Sequence, residues 1–394
     1  PIHSERIQIE TYTMSKTPKP SASKDSSTRR SFLRQAPLLA TGAIAACAQS
    51  EQQTAPAIQS QQHFKWKMVT TWPKNFPGLG TGANTLAKYI EAMSGGRLQV
   101  KVYGAGELVP ASGVFDAVSG GTAEMGHGVS YYWKGKHEAT QFFAAVPFGL
   151  NANEINGWLR YGGGQELWDE LYAQFGLKAF PVGNTGVQMG GWFNKEINEV
   201  GDFSGLVMRM PGLGGEVLRR LNATVKSLPG GEIFQALKTG AIDATEWVGP
   251  YNDLAFGLHQ AAKYYYWPGW HEPGTALEGM VNAKALAALP SDLQAIVAYA
   301  CQAANEDMLN EFTARNNGAL QILVKKHGVQ LRRFSDELLT EVGKTAADVV
   351  AEIAGKDPFS NKVYTSFDAF RSASVSYTRI SEEAYTQARA LTFG

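Results

Sequence analysis

A chain of 394 residues with 44% hydrophobic and 18% charged content has the composition of a soluble globular protein of about two domains, long enough to bury a large core. Lysine plus arginine and aspartate plus glutamate stand at 36 each, so there is no net field to draw in nucleic acid or an anionic membrane surface, and both are excluded as partners.

In chain order, residues 1–13 carry no periodic pattern and precede Met14, so they read as sequence upstream of a true start. Residues 14–47 have a signal-peptide layout: basic Arg29, Arg30 and Arg34, then an apolar run from Ala36 to Ala46 too short to span a bilayer. The paired arginines followed by Phe32 and Leu33 resemble a twin-arginine export signal. Ile44-Ala45-Ala46-Cys47 has the form of a lipobox, which makes Cys47 a candidate lipid anchor; plain cleavage at a small-residue site is the alternative. Residues 48–63 are rich in Gln, Ala and Ser and poor in large apolar groups, the composition of a disordered tether.

From Phe64 to Trp72 the sequence alternates like a strand, Leu79 to Ser94 has helical spacing that stops at Gly95-Gly96, and Leu98 to Tyr103 is again a strand. This order predicts α/β lobes built on mainly parallel sheets. Three long helices are expected at the end, over 291–326, 336–354 and 362–391; the last carries an apolar stripe at Phe367, Phe370, Val375, Tyr377, Ile380 and Ala384. Cys301, in the apolar helical stretch IVAYACQAA, is the only cysteine inside the fold, so no internal disulfide is expected and the thiol reads as inert core.

One stretch echoes another. Residues 110–124, from Pro110 through Phe115, Ala117 and Gly121 to Glu124, align without gaps with residues 229–243, from Pro229 through Phe234, Ala236 and Gly240 to Asp243. Each reads as a proline turn, a short amphipathic helix, a glycine stop and an acid opening a strand. Two lobes of one design follow, although connections of this type share a grammar and chance likeness is the competing explanation. The strands that follow, Met125 to Trp133 and Ala244 to Tyr251, would bring aromatic tips to a shared cleft beyond the strand ends. Tyr131, Tyr132 and Trp133 are then expected at its wall, with Tyr132 as a polar contact to a ligand; core packing is the plainer role for all three. His127, which matches Glu246 by count, reads as a structural histidine.

Glu246 interrupts an apolar strand. A buried carboxylate costs several kcal/mol unless it is paired or metal-bound, so it needs either Arg209 or an ion. Arg209 likewise breaks an otherwise apolar run, Leu206 to Pro211, just ahead of Gly212-Leu213-Gly214-Gly215, and its guanidinium fork suits capture of an organic acid. Glu272 stands beside bulky rings in Trp270-His271-Glu272-Pro273, and Gln188 is a neutral amide in a glycine-rich strand over 186–192. Two carboxylates, an amide oxygen and a backbone carbonyl make a hard oxygen set, suited to sodium or calcium and not to zinc.

Three runs carry a family resemblance: Met208 to Leu218, Ser227 to Tyr251, and Tyr264 to Gly274. Together they resemble the extracytoplasmic solute receptors of tripartite ATP-independent periplasmic (TRAP) transporters, in the branch that binds 2-oxo acids or lactate with a metal ion. The resemblance covers residues 64–394 and implies a two-lobed periplasmic-binding-protein clamp of the Venus-flytrap type. Lobe 1 would span about 64–187, lobe 2 about 188–285, and long C-terminal helices over 291–394 would brace them. It further implies that Arg209 anchors a small carboxylate, with Gln188, Tyr132 and Trp247 beside it, while Gln188, Glu246, Glu272 and the Trp247 carbonyl supply oxygens to the ion. Partners implied are the TRAP membrane permease subunits and a second copy joined through the C-terminal helix, and the location is the periplasm. A ligand charge of −1, Arg209, Glu246 and Glu272 sum to about −2 without metal; calcium would bring this to about zero and sodium to about −1, so charge leans to calcium while the resemblance allows sodium. No catalytic residues are expected. The competing class is a secreted metal-dependent lyase or hydrolase using Glu246 or Glu272 as general base, but no nucleophile elbow, His-Glu-x-x-His helix or phosphate loop is present.

Overall fold

The structure, a computed structural model, describes residues 62–393; the export signal, Cys47 and nearly all of the tether lie outside them. The described residues form eleven strands in two sheets. They are β1 (Phe64–Thr70), β2 (Leu98–Tyr103), β3 (Met125–Gly128), β4 (Leu177–Asn184), β5 (Gly191–Phe193), β6 (Val207–Arg209), β7 (Thr224–Lys226), β8 (Ala244–Thr245), β9 (Tyr264–Trp267), β10 (Ala276–Asn282) and β11 (Gln330–Arg333). The first sheet runs β2-β1-β3-β10-β4 and the second β11-β9-β5-β8-β6-β7.

Local sequence accounts for most elements. In the helix Leu79–Met93, Leu79, Ala83, Leu86, Ala87 and Ile90 fall on one buried face, and the chain leaves it through Gly95 and Gly96, both at positive φ that a side chain would resist. The echoed segments are indeed one unit used twice. Strand, helix, strand, helix, strand gives β1 to β3 in the first sheet and β6 to β8 in the second, with the central strand flanked by a parallel neighbour and an antiparallel one in both. Even the opening acid repeats its role: Glu124 accepts the amide of Lys67 at 2.7 Å, and Asp243 accepts that of Val207 at 2.9 Å.

Three expectations need correction. The sheets are mixed, since β10 lies antiparallel to both β3 and β4, and β5 antiparallel to both β8 and β9. The strands after the echo are short. β3 gives way to a 3-10 turn over Ser130–Trp133, and β8 ends before Gly249 and Pro250, where proline opens the helix Pro250–Phe256. Third, β10 at 276–282 belongs to the first sheet and β11 to the second, so sheet membership does not follow a contiguous split near residue 188.

The helix Ser291–Gln321 packs on β4 and on helix Leu79–Met93 of the first half and on helix Pro250–Phe256 of the second, with Leu293, Val297, Cys301, Met308 and Phe312 buried at four- and seven-residue spacing. Met308 lies so close to Gly82 and Gly183 that a Cβ at either would fall 2.2–2.3 Å from it. Cys301 is buried, and burial pushes its thiol pKa well up, as inert core requires. In the last two helices, Pro358–Thr378 and Glu382–Phe393, and the turn between them, Phe367 is buried, whereas Tyr377, Ile380, Tyr385 and Leu391 stand 70%, 78%, 67% and 88% exposed. Among the described residues no helix is long and apolar enough to cross a membrane.

Candidate functional site

Three loops of the second half are stitched together at the ends of its strands. The amide of Gln188 donates to the Glu272 carbonyl (3.1 Å), that of Gly269 to the Gln188 carbonyl (2.9 Å), and that of Met189 to the Val248 carbonyl (3.0 Å). Gly269 is required here, because a Cβ would lie 2.3 Å from the Gln188 carbonyl oxygen. Arg209 ends β6 and Glu246 follows β8, its parallel neighbour, so the two side chains emerge together.

Arg209 and Glu246 are each 1% exposed and form an ion pair through Nη1 and Oε1. The guanidinium also donates to the Leu228 carbonyl from Nε (3.3 Å), lies 5.1 Å from the Trp247 ring centroid, and points Nη2 at the Tyr132 hydroxyl (3.5 Å). The Gln188 amide nitrogen sits within reach of Glu272 Oε2 (2.8 Å), Thr275 Oγ1 (3.1 Å) and Thr185 Oγ1 (3.2 Å). Tyr131 brings its hydroxyl to 3.5 Å from Glu272. All six expected site residues therefore converge: Arg209, Gln188, Tyr132, Trp247, Glu246 and Glu272.

His271, Thr185 and Thr275 were not foreseen. His271 Nε2 lies 3.5 Å from Glu246 Oε2, and ligand atoms of Glu246, His271 and Glu272 fall within 4.8 Å of one another. The signal was adjacency to Glu272, but neighbours in an extended chain point apart; only the tight turn at 268–272 brings both inward.

These buried groups are left with unmet capacity. Among the described residues, Glu246 Oε2, Gln188 Oε1 and both ring nitrogens of His271 have no hydrogen-bond partner. Burial, followed by the charge of Glu246, raises the Glu272 carboxyl from 4.5 to about 7. Orphaned oxygens beside excess negative charge are what a hard cation would satisfy, so the donor set fits sodium or calcium. Next to it a narrow cavity of about 10 Å³, room for about one water molecule, is polar at Arg209, Gln188 and Thr275 and apolar at Leu79, Val129 and Leu277. Its lining, charged at one end and apolar at the other, matches a small anion with a short apolar tail, and the walls must part to admit one. His127 stays apart from these groups: burial lowers it to about 3, and the neutral ring accepts Trp72 Nε1–H at 2.8 Å.

Residues 68–357 match the family model described as bacterial extracellular solute-binding protein, family 7 (DctP). The chain is 45% identical over 358 residues, 91% of its own length and 97% of the relative's, to a monocarboxylate 2-oxoacid-binding periplasmic protein of Nostoc sp. PCC 7120. Its fold matches a TRAP periplasmic solute-binding protein of Pseudoalteromonas atlantica with bound sodium and pyruvate at 42% identity and TM-score 0.81, covering 83% of this chain and 99% of that one. A TRAP solute-binding protein of Colwellia psychrerythraea with bound calcium and pyruvate matches at 43% identity and TM-score 0.81, covering 83% and 100%.

Proposed function

The chain belongs to the bacterial extracellular solute-binding proteins of family 7, and from that premise we propose that it captures a small monocarboxylate, a 2-oxo acid such as pyruvate or else lactate, together with sodium or calcium and delivers it to a TRAP membrane permease. The observation that carries this reading is the buried group of Arg209, Glu246, Gln188 and Glu272 with orphaned oxygens beside a small half-apolar cavity. Members of this family are solute-binding proteins, so the lyase or hydrolase alternative is set aside.

Arg209 anchors the ligand carboxylate through the donors that Glu246 leaves free, while Tyr132 closes over the same guanidinium from the first half. Gln188 Oε1, Glu246, Glu272 and the Trp247 carbonyl hold the ion. A bound cation offsets the carboxylates and offers a second charge to the ligand oxygens. Tyr131, Leu79 and Val129 from one half, and Val248 from the other, exclude water, which strengthens every charge contact inside. Because the ligand touches both halves only when they meet, binding favours the closed arrangement that a membrane partner would recognise.

Export by the twin-arginine route and release into the periplasm, with Cys47 as a candidate lipid anchor, complete the reading. The exposed Tyr377, Ile380, Tyr385 and Leu391, on the last two helices and the turn between them, are the apolar residues through which a homodimer would form.

Calorimetric titration of pyruvate, lactate and longer 2-oxo acids with sodium, with calcium and with chelator tests the proposal. Stoichiometric binding that chelator weakens in sodium-free buffer, or that needs sodium where calcium is withheld, is expected. Absence of binding under all three conditions would overturn it.

A further inference from the structure

Among the described residues, each half of the molecule buries a carboxyl with no cation facing it, and both are held by one tryptophan and one tyrosine. In the first half Glu278 on β10, fully buried, accepts the Trp133 indole N–H on one oxygen and the Tyr172 hydroxyl (2.7 Å) on the other. In the second, Asp253, 1% exposed, accepts Trp192 Nε1–H (2.9 Å) and the Tyr265 hydroxyl (2.6 Å) on Oδ2, and the amides of Val248 (3.3 Å) and Gly249 (3.2 Å) on Oδ1.

The two arrangements answer one topological problem with the partners exchanged. In each sheet the central strand, β3 or β8, has an antiparallel neighbour, β10 or β5, and is followed by a turn. In the first half the acid is on the neighbouring strand and the tryptophan on the turn; in the second the tryptophan, Trp192, is on the strand and the acid lies past the turn. Both turns carry site residues. Ser130–Trp133 presents Tyr131 and Tyr132, and Glu246 to Gly249 presents Glu246 and Trp247. A fully buried carboxyl is costly unless its hydrogen bonds are all made, so each tie is rigid or the local fold is lost.

We propose that Glu278 and Asp253 are positioning residues, a matched pair of buried carboxyl anchors that fix the two ligand-bearing turns, Glu278 setting the tyrosine wall and Asp253 setting the ion-binding carboxylate. The proposal rests on the reading of the site as one for an organic acid and a cation. It separates the two ligands: the expected ion donors all lie in the second half and meet the tyrosine wall only through the long Tyr131–Glu272 contact (3.5 Å), so the Glu278 tie bears chiefly on the organic acid, whereas the Asp253 tie governs both.

The test uses the full exported chain, with pyruvate and calcium as probes followed by calorimetry. If wild-type protein binds neither probe, the functional reading itself fails. Given wild-type binding, Glu278→Leu is expected to weaken pyruvate at saturating calcium at least tenfold while calcium alone binds within twofold of wild type; Glu278→Gln, which keeps the acceptor for Trp133, restores pyruvate binding to within about threefold. Asp253→Asn is expected to weaken both probes. Trp133→Phe removes the same bond from the other side and serves where Glu278→Leu does not fold. Pyruvate affinity unchanged in Glu278→Leu or, in its place, Trp133→Phe, or calcium and pyruvate falling in parallel in that variant, would overturn the proposal.

Discussion

His127 at β3 and Glu246 just past β8 occupy corresponding places in the repeated unit, and the strand beside each differs in the same sense: Val69 lies where the second half has Arg209. The first half fills this position with a neutral imidazole bonded to Trp72, the second with an ion pair of which each member is 1% exposed. One backbone design thus serves two purposes. Buried charges must sit beside their counter-charges, so they are gathered in one half, while the other supplies rings and aliphatic side chains that keep the dielectric low.

The comparison is broken most forcefully at its charged member. Arg209→Ala leaves Glu246 buried without its cation, a loss of about 3–5 kcal/mol; the apo protein is expected to remain folded by circular dichroism, but the rise in melting temperature with pyruvate should vanish. A retained rise would remove Arg209 from the ligand. Next, Glu246→Gln is expected to lower calcium affinity by about 100-fold in calorimetry, whereas His127→Gln at the matching place leaves it unchanged; equal losses would erase the distinction between the halves.

The uncharged half has its own acid, and pH reads it. Burial raises the Glu278 carboxyl from 4.5 to about 7, so between those values the folded chain holds a proton that the unfolded chain releases. Its contribution to stability is complete below about pH 4.5 and is lost as pH rises through about 7. Urea unfolding at pH 5 and pH 8 should show wild type losing on the order of 2 kcal/mol relative to Glu278→Gln; parallel pH profiles would mean that Glu278 is already ionised at pH 5. The smallest effect is expected from His127→Gln on stability, about 1 kcal/mol for the hydrogen bond to Trp72, measured by the same denaturation.

Local pattern made much of this legible. The strand Leu98–Tyr103 and the helix Asp336–Ala354 fall where periodicity and end signals place them, because those signals act over a few residues. The echo gave the repeated unit, since each copy is built from its own turn, helix and glycine stop. The convergence of Gln188, Glu246 and Glu272 came through family resemblance, as no spacing links residues so far apart in sequence. His271 and the two threonines escaped, and so did the assignment of β10, whose buried run Ala276–Val281 would suit the centre of either sheet.

The amino-acid order alone determined the α/β class, the doubled unit and the kinds of atom the site would offer. Only tertiary structure decided that β10 returns to the first sheet, that Arg209 is shared between Glu246 and Tyr132, and that buried oxygens are left over for an ion. The physical reason is range: helix caps and strand alternation are settled among near neighbours, whereas desolvation and charge pairing depend on which distant segments exclude water from one another.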